Sequence, residues 1–411
     1  MTVANPERRT PRPSCHLISS EYPPQIGGVS DYTSLLAAGL AEHGDEVHVW
    51  CPACPGALPS STGRALNSTP GIVVHRQFGS FSPADLRRVG AELDTFPGPL
   101  RLLVQWVPHG FGYRSMNLGF CWWLWKRARQ RGDRIELMVH EPFLSFAWAS
   151  PRQSAAAFVH RWMTIVLLRA AARVWISIPG WERSMRAYAL GRNVEFEWLP
   201  IFSNIPAASD PARTLAIRRQ YADGNRLLIG HFGTFGSLIT TLLDPILLAL
   251  AGDPVEQTIL LMGKGSDRHL SELIQKEPRL EGVIRATGQL SDQELSHHLS
   301  ACDLLIQPYP DGVSTRRGSF MAGLANGKPI VTTTGWLTEP LWSQGDAVKL
   351  APAGDTRAFL EQTRLLRQDP SARLRVGCAA GQLYRERFDI SHTISSLRRT
   401  ATTRDPECVF L

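Results

Sequence analysis

Short apolar runs rich in β-branched residues alternate along the chain with longer stretches whose apolar positions recur at helical spacing. The first run, 16–20 (HLISS), precedes such a stretch at 30–44 (SDYTSLLAAGLAEHG), which predicts a strand and then a helix. Further strands are predicted over 46–52, 71–78, 101–108, 134–142 and 173–179, with a helix over 83–93 between two of them. Alternation of this kind implies a parallel sheet with helices on both faces. Around 197–211 (EWLPIFSNIPAASDP) the periodicity lapses into a proline- and serine-rich stretch, which reads as a link between lobes. A second series follows, with strands predicted over 226–233, 257–265, 282–290, 303–310, 328–334 and 347–352 and a helix over 291–302. The fold class is therefore α/β, as two Rossmann-like lobes in tandem. The boundaries read as a lead at 1–13, a first lobe at 14–203, a second at 204–388, and a C-terminal helix and tail at 389–411.

Length agrees, since 411 residues suit two domains of ordinary size. Basic residues outnumber acidic ones 44 to 37, for a formal charge of +7, which favours an anionic partner such as a nucleotide, a phosphate or an acidic membrane surface. The basic residues are spread out and carry no recognition motif, so nucleic acid is not an expected partner. Seven scattered cysteines suit a reducing cytosol, and Cys51-Pro-Ala-Cys54 lacks the second Cys or His pair that a zinc site needs. The first 13 residues are polar and proline-rich, unlike a signal peptide. The apolar stretch 155–175 is interrupted by His160, Arg161, Arg169 and Arg173, so it predicts a buried or interfacial helix and not a membrane span. The last four residues, Cys408-Val409-Phe410-Leu411, fit a prenylation box with no strongly polybasic segment ahead of them.

Periodicity alone admits several two-lobed α/β proteins, so the motifs must discriminate. Between the first strand and first helix stands Glu21-Tyr22-Pro23-Pro24-Gln25-Ile26-Gly27-Gly28-Val29-Ser30, and the helix ends at Glu42-His43-Gly44-Asp45-Glu46-Val47. Gly27 and Gly28 let backbone approach a ligand, and the helix N-terminus behind them offers N–H groups to negative charge. The second half carries Met262-Gly263-Lys264-Gly265, then 287–295 (TGQLSDQEL), then 302–309 (CDLLIQPY). This order resembles family 4 of the retaining glycosyltransferases, from about residue 17 to about residue 388. The resemblance implies a GT-B architecture: two Rossmann-like lobes facing a cleft, the first on the acceptor side and the second holding the donor nucleotide. It also implies a nucleotide-diphosphate-sugar as co-substrate with no separate cofactor and no metal. Front-face transfer with retention and without a protein nucleophile follows from it, with Gly288, Gln289 and Leu290 lying against the base.

The chain departs from the family pattern at two places. Anchoring on Ala325-Asn326-Gly327-Lys328-Pro329-Ile330-Val331 puts Ser314 and Ala322 where the family carries two glutamates. In their place 311–319 (DGVSTRRGS) enters a helix. Arg316 and Arg317, with Ser314, Thr315 and Gly318 beside them, read either as a diphosphate site or as a solvated or salt-bridged surface pair. The second departure is 230–237 (GHFGTFGS), which lacks the family's basic pair, so Gly233 and Thr234 would offer backbone N–H groups, with Lys264 on the next turn. His140 and Glu141 end a predicted strand of the first lobe, where open α/β sheets place ligands. His140 reads as a contact to the transferring sugar or as a satisfied core histidine, Glu141 as an acceptor for a hydroxyl, and His109 as a similar candidate.

Phe120-Cys121-Trp122-Trp123-Leu124-Trp125, followed by Lys126, Arg127, Arg129 and Arg131, reads as a membrane-docking helix or as a core-facing helix with a basic outer face. The expected function is transfer of a sugar to an unidentified acceptor, a glycan or lipid-linked intermediate, by a cytoplasmic enzyme, with peripheral contact at the inner face of the membrane only if that helix docks. A catalytically silent module of the same fold, binding nucleotide or glycan, and a sugar-nucleotide epimerase are the alternatives.

Overall fold

A computed structural model of the chain describes residues 14–53, 70–112, 115–147 and 150–402. The lead at 1–13, Cys54 and the C-terminal Cys408 lie outside them. The chain divides into two compact units, one running to Leu199 and taking up the chain again from Thr393, the other spanning Pro200–His392.

The first unit holds a seven-stranded sheet in the order β3-β2-β1-β4-β5-β6-β7. Its strands are β1 (Ser14–Ser19), β2 (Glu46–Pro52), β3 (Ile72–Phe78), β4 (Arg101–Trp106), β5 (Arg134–Val139), β6 (Ala171–Ile176) and β7 (Glu195–Trp198), all paired in parallel. The helices between them include α1 (Gly28–Glu42), α2 (Pro83–Leu93), α3 (Leu118–Gln130) and α4 (Pro151–Ala170), with the short α5 (Gly180–Arg186) before β7. β1, β4 and β5 are buried at all but their first residue, as expected of parallel strands covered on both faces. Helix starts follow local chemistry: Ser82 and Asp85 form a reciprocal capping box on α2, and Asn117 accepts from Phe120 N at 2.8 Å to start α3. β7 falls at the boundary of the stretch read as a link. It is a half-buried edge strand whose Glu195 and Glu197 both pair with Arg173 of β6, a charged pairing that suits a sheet edge.

The second unit holds a six-stranded parallel sheet in the order β10-β9-β8-β11-β12-β13. Its strands are β8 (Leu227–Phe232), β9 (Gln257–Met262), β10 (Ile284–Ala286), β11 (Leu304–Gln307), β12 (Ile330–Thr334) and β13 (Lys349–Pro352). The connecting helices are α6 (Pro211–Tyr221), α7 (Ser237–Ala251), α8 (Ser266–Lys276), α9 (Asp292–Ala301), α10 (Gly318–Ala325), α11 (Thr356–Gln368) and α12 (Pro370–Arg387). Gly230 lies mid-strand in β8 because a Cβ there would meet Cys302 Sγ at 2.6 Å and Leu305 at 2.7 Å. α13 (Ile390–Thr402) packs with the first unit from Thr393 onward, where Arg398 lies 3.3 Å from the buried Asp45. In each sheet the strand order reverses once, between β1 and β4 and between β8 and β11, and such switch points open a crevice at the carboxyl ends of the strands.

Three histidines far apart in sequence meet on neighbouring strands of the first sheet. His16 stacks on His48 at 4.8 Å, and His48 Nδ1 lies 3.0 Å from His75 Nε2. The indole N–H of Trp50 donates to His16 Nδ1 at 3.1 Å, which needs an unprotonated nitrogen there. Burial, with the neighbouring histidines adding to it, pushes the His16 pKa down to about 3 and that of His75 down to about 4. His140 is pushed to about 3 and His231 to about 4, again by burial first. In each case the unfolded chain takes up a proton near pH 6.5 while the folded chain does not, so folding stability falls as pH drops from there toward 4. Each group adds a slope of up to about 1.4 kcal/mol per pH unit. Urea unfolding at pH 7.5, 6 and 5 is expected to show a steep loss of stability, and His75→Phe should flatten it.

Candidate active site

In the second unit the carboxyl ends of four strands meet at the switch point. Gly233 N, after β8, donates to Met262 O of β9 at 3.2 Å; Gly263 N donates to Gly288 O at 3.2 Å, and Gly288 N to Ser266 Oγ at 3.0 Å. These bonds lace together the turns that follow β8, β9 and β10. Gly263 holds a φ of +116° and a Cβ on it would stand 2.5 Å from Gly233 O, so only glycine fits this crossing. Thr234, Lys264 and Gln289 are exposed on these turns, while Gly233, Gly288 and Leu290 are half-buried. Beneath Gly233, His231 Nδ1 donates to Ile306 O at 2.9 Å, and its Nε2 is buried without a hydrogen-bond partner among the described residues.

The loop between β11 and α10 completes the group. Asp311 stands between two guanidiniums: Arg316 Nη2 is 2.6 Å from Oδ2, and Arg317 Nη2 donates to Oδ1. Arg317 also lies over the Tyr309 ring at 4.8 Å, and Tyr309 Oη is 2.8 Å from Ser319 Oγ. Ser319 Oγ in turn lies 3.9 Å from where a Cβ of Gly233 would be, so Gly233 and the arginine loop share one end of the sheet. The salt-bridged reading of the pair is therefore observed. Asp311 thus shares its two oxygens between the two guanidiniums at the N-terminus of α10, where Gly318 is the first residue.

Ser314 and Thr315, expected to line a ligand, are fully buried instead. Glu339 holds Thr315: its Oε1 accepts from Thr315 N at 2.8 Å and from Thr315 Oγ1 at 2.6 Å, and its Oε2 accepts from Trp342 Nε1 at 2.7 Å, while Ser314 Oγ is buried without a hydrogen-bond partner among the described residues. Burial raises the Glu339 pKa above the usual carboxylate range, against the lowering effect of these donors. Neither the clamp by Asp311 nor the anchor by Glu339 was assigned from sequence, because a lone carboxylate near a loop has no distinguishing pattern until its partners are known.

In the first unit the turn after β1 behaves differently from its sequence reading. Gly27 caps α1, but the Glu21 carboxylate accepts from Val29 N at 3.0 Å and Ser30 N at 2.9 Å. A Cβ on Gly27 would lie 2.3 Å from that carboxylate, so the glycine makes room for an internal anion. The N–H groups expected to face a ligand are satisfied by the protein itself, and Gly28 lies exposed beside them. At the ends of β4 and β5 three predicted residues do meet. His109 Nδ1 is 3.7 Å from Glu141 Oε2, and His140 packs edge-on against the Tyr32 ring at 4.9 Å. His140 Nε2 lies 2.9 Å from Gln105 Oε1, an acceptor that assigns the proton to Nε2 and leaves Nδ1 as a lone-pair acceptor. With its pKa near 3, this imidazole is neutral at physiological pH.

Two family models match the chain. The Glycosyltransferase Family 4 model covers residues 26–189 and the Glycosyl transferases group 1 model covers residues 229–369. The chain belongs to the glycosyltransferases of this type. No curated protein matches it. Among solved structures it is similar to a sucrose-phosphate synthase from Thermosynechococcus elongatus, with a TM-score of 0.73 and 16% identity over 95% of this chain and 98% of that one. It is also similar to HepE from Anabaena in complex with UDP and glucose (TM-score 0.66, 14% identity, 95% and 99% covered). The catalytic domain of Starch Synthase IV from Arabidopsis thaliana, bound to ADP and acarbose, matches with a TM-score of 0.64 and 14% identity, again over 95% and 99%. Identities this low show a common fold, and that fold is GT-B. In this glycosyltransferase the group 1 segment contains the Gly233 turn, the Asp311–Arg317 loop and Glu339, whereas Glu21 lies ahead of the family 4 segment. Among the described residues no group of three or more His, Cys, Asp or Glu is placed to hold a metal ion, and no helix is long and apolar enough to cross a membrane.

Proposed function

We propose that this glycosyltransferase moves a hexosyl unit from a nucleotide-diphosphate-sugar to a hydroxyl of a glycan or lipid-linked acceptor, with retention and without a metal. The observation that carries the donor reading is the arginine pair held by Asp311 beside Gly233 at the switch point of the second sheet. As the diphosphate leaves, negative charge accumulates on its oxygens, and two guanidiniums already oriented by Asp311, with backbone N–H groups, stabilise that charge without reorganisation. Gly288, Gln289 and Leu290 then lie along the base, and Lys264 adds a cation on the neighbouring turn. In the first unit neutral His140, with Glu141 and His109, accepts hydrogen bonds from the sugar and acceptor hydroxyls. Relatives of the same fold captured with UDP and glucose or with ADP support a nucleotide-sugar donor. NMR of the product tests the stereochemistry: the anomeric configuration of the donor should be kept, in the presence of EDTA, and an inverted product or loss of activity with EDTA would count against the proposal.

A membrane-bound acceptor is supported by the outer face of α3 and α4. Phe120, Cys121 and Leu124 of α3 face the core, which is the bland reading of that helix, but Trp122 is 49% exposed. On α4, which packs against α3, Phe158 and Trp162 are 58% and 51% exposed. Arg127 is buried and paired with Asp94 and Asp133, whereas the basic residues Lys126 and Arg129 of α3 and Arg152, Arg161 and Arg169 of α4 have no acidic residue beside them in either helix. Exposed aromatics among cations suit an anionic bilayer surface, where the rings enter the headgroup region. The protein should therefore cosediment with phosphatidylglycerol vesicles and not with phosphatidylcholine vesicles, and Trp122→Ser/Phe158→Ser/Trp162→Ser should lose at least tenfold in vesicle affinity. Equal binding of the triple variant would remove this face from the account.

A further inference from the structure

A second site lies at the opposite end of the second sheet from the donor loops. Asp303 and Lys328 stand just ahead of β11 and β12, at the amino ends of the strands, and beside them opens a cavity of about 670 Å³. α12 borders it with two glycines one turn apart. A Cβ on Gly377 would stand 2.5 Å from Gly327 O, and one on Gly381 would stand 3.3 Å from Arg385 Nη1, so the helix lies close on the turn before β12 and Arg385 folds back across the cleared face.

The lining is one-sided in charge. Lys328, Arg373 and Arg385 are its basic residues and Asp303 its acidic one. Asp303 is already engaged by Arg218 at 2.6 Å, and Arg373 is braced by the carbonyls of Leu366 and Arg367 at 2.7 and 2.9 Å. The Lys328 amine donates to Ser300 O at 2.9 Å and is largely removed from water, which lowers its pKa by desolvation. Lys328 thus shares the cavity wall with two guanidiniums against the single, already paired carboxylate of Asp303, and guanidinium forks suit phosphate oxygens. The volume exceeds what orthophosphate needs and falls in the range of pockets for small organic ligands.

We propose that this cavity binds a phosphomonoester of a small polyol or sugar, held through its phosphate by Lys328, Arg373 and Arg385. The site is separate from the donor loops and stands whether or not those loops bind a nucleotide-sugar.

Isothermal titration of the full chain with glucose 6-phosphate and with inorganic phosphate tests it. The hexose phosphate should bind saturably and more tightly than phosphate, at least tenfold more weakly in Arg385→Ala and Lys328→Met, and without change in Arg316→Ala/Arg317→Ala. Arg385 is exposed, so its variant keeps the test valid if Lys328→Met fails to fold. Binding that survives both Arg385→Ala and Lys328→Met, that disappears in the Arg316/Arg317 variant, that is no tighter than for phosphate, or that is not saturable at millimolar ligand would overturn the assignment.

Discussion

Changing Arg316 and Arg317 together to Met is expected to lower kcat/KM for the nucleotide-sugar by about 10²–10³, the loss that follows removal of a principal donor to a developing oxyanion. The pair is half-buried and clamped by Asp311, so its orientation is set before the donor arrives. Most of the loss should appear in kcat, because the charge it neutralises grows as the diphosphate departs. Asp311→Asn is the informative companion. It raises the local charge and releases both guanidiniums from their clamp, so nucleotide should bind at least as tightly while turnover falls. Steady-state kinetics with thermal unfolding as a control would separate these effects. A double variant with unchanged kcat/KM would place the diphosphate elsewhere.

Glu339→Ala should cost about 3 kcal/mol of stability, since the change leaves a backbone N–H, a hydroxyl and an indole N–H without their buried acceptor. The same change releases the arginine loop through Thr315, so activity should fall below what the lost stability explains. Glu339→Gln should lie between, because its amide group turns one acceptor into a donor facing Thr315 or Trp342. The pH dependence has a defined sign. The raised pKa means the folded chain holds this proton more readily than the unfolded one, so its contribution to stability declines as pH rises through the range just above 4.5, opposite to the buried histidines. Denaturant unfolding of both variants across that range measures it, and a loss under 1 kcal/mol in Glu339→Ala would show that the loop is held by other contacts.

The strand-and-helix alternation was legible because parallel strands buried on both faces need continuous apolar runs, and the central strands of both sheets follow that rule. β7 was not, because Glu195-Phe196-Glu197-Trp198 is short, half-buried and runs directly into the proline-rich segment. Positions at strand ends were readable where a residue type stands out, as with His140 and the adjacent Arg316 and Arg317. What those residues do depended on partners that sequence does not mark. Glu21 occupies the helix terminus that two glycines had suggested for a ligand, and Asp311 divides itself between two arginines five and six residues on. His16, His48 and His75 become a cluster only once the register sets three strands side by side. The aromatic residues of α3 could be read from one helix, whereas Phe158 and Trp162 join the same unit's exposed apolar surface only through the packing of α4 on α3.

The most direct test measures release of free nucleoside diphosphate from UDP-, GDP- and ADP-glucose by the purified protein, with a lipid extract supplying acceptors. One nucleotide should be released in stoichiometry with the transferred sugar, and release should fall by two orders of magnitude or more in Arg316→Met/Arg317→Met. Binding of a nucleotide without release from any of the three donors would contradict the enzyme reading and leave a nucleotide-binding module of the same fold.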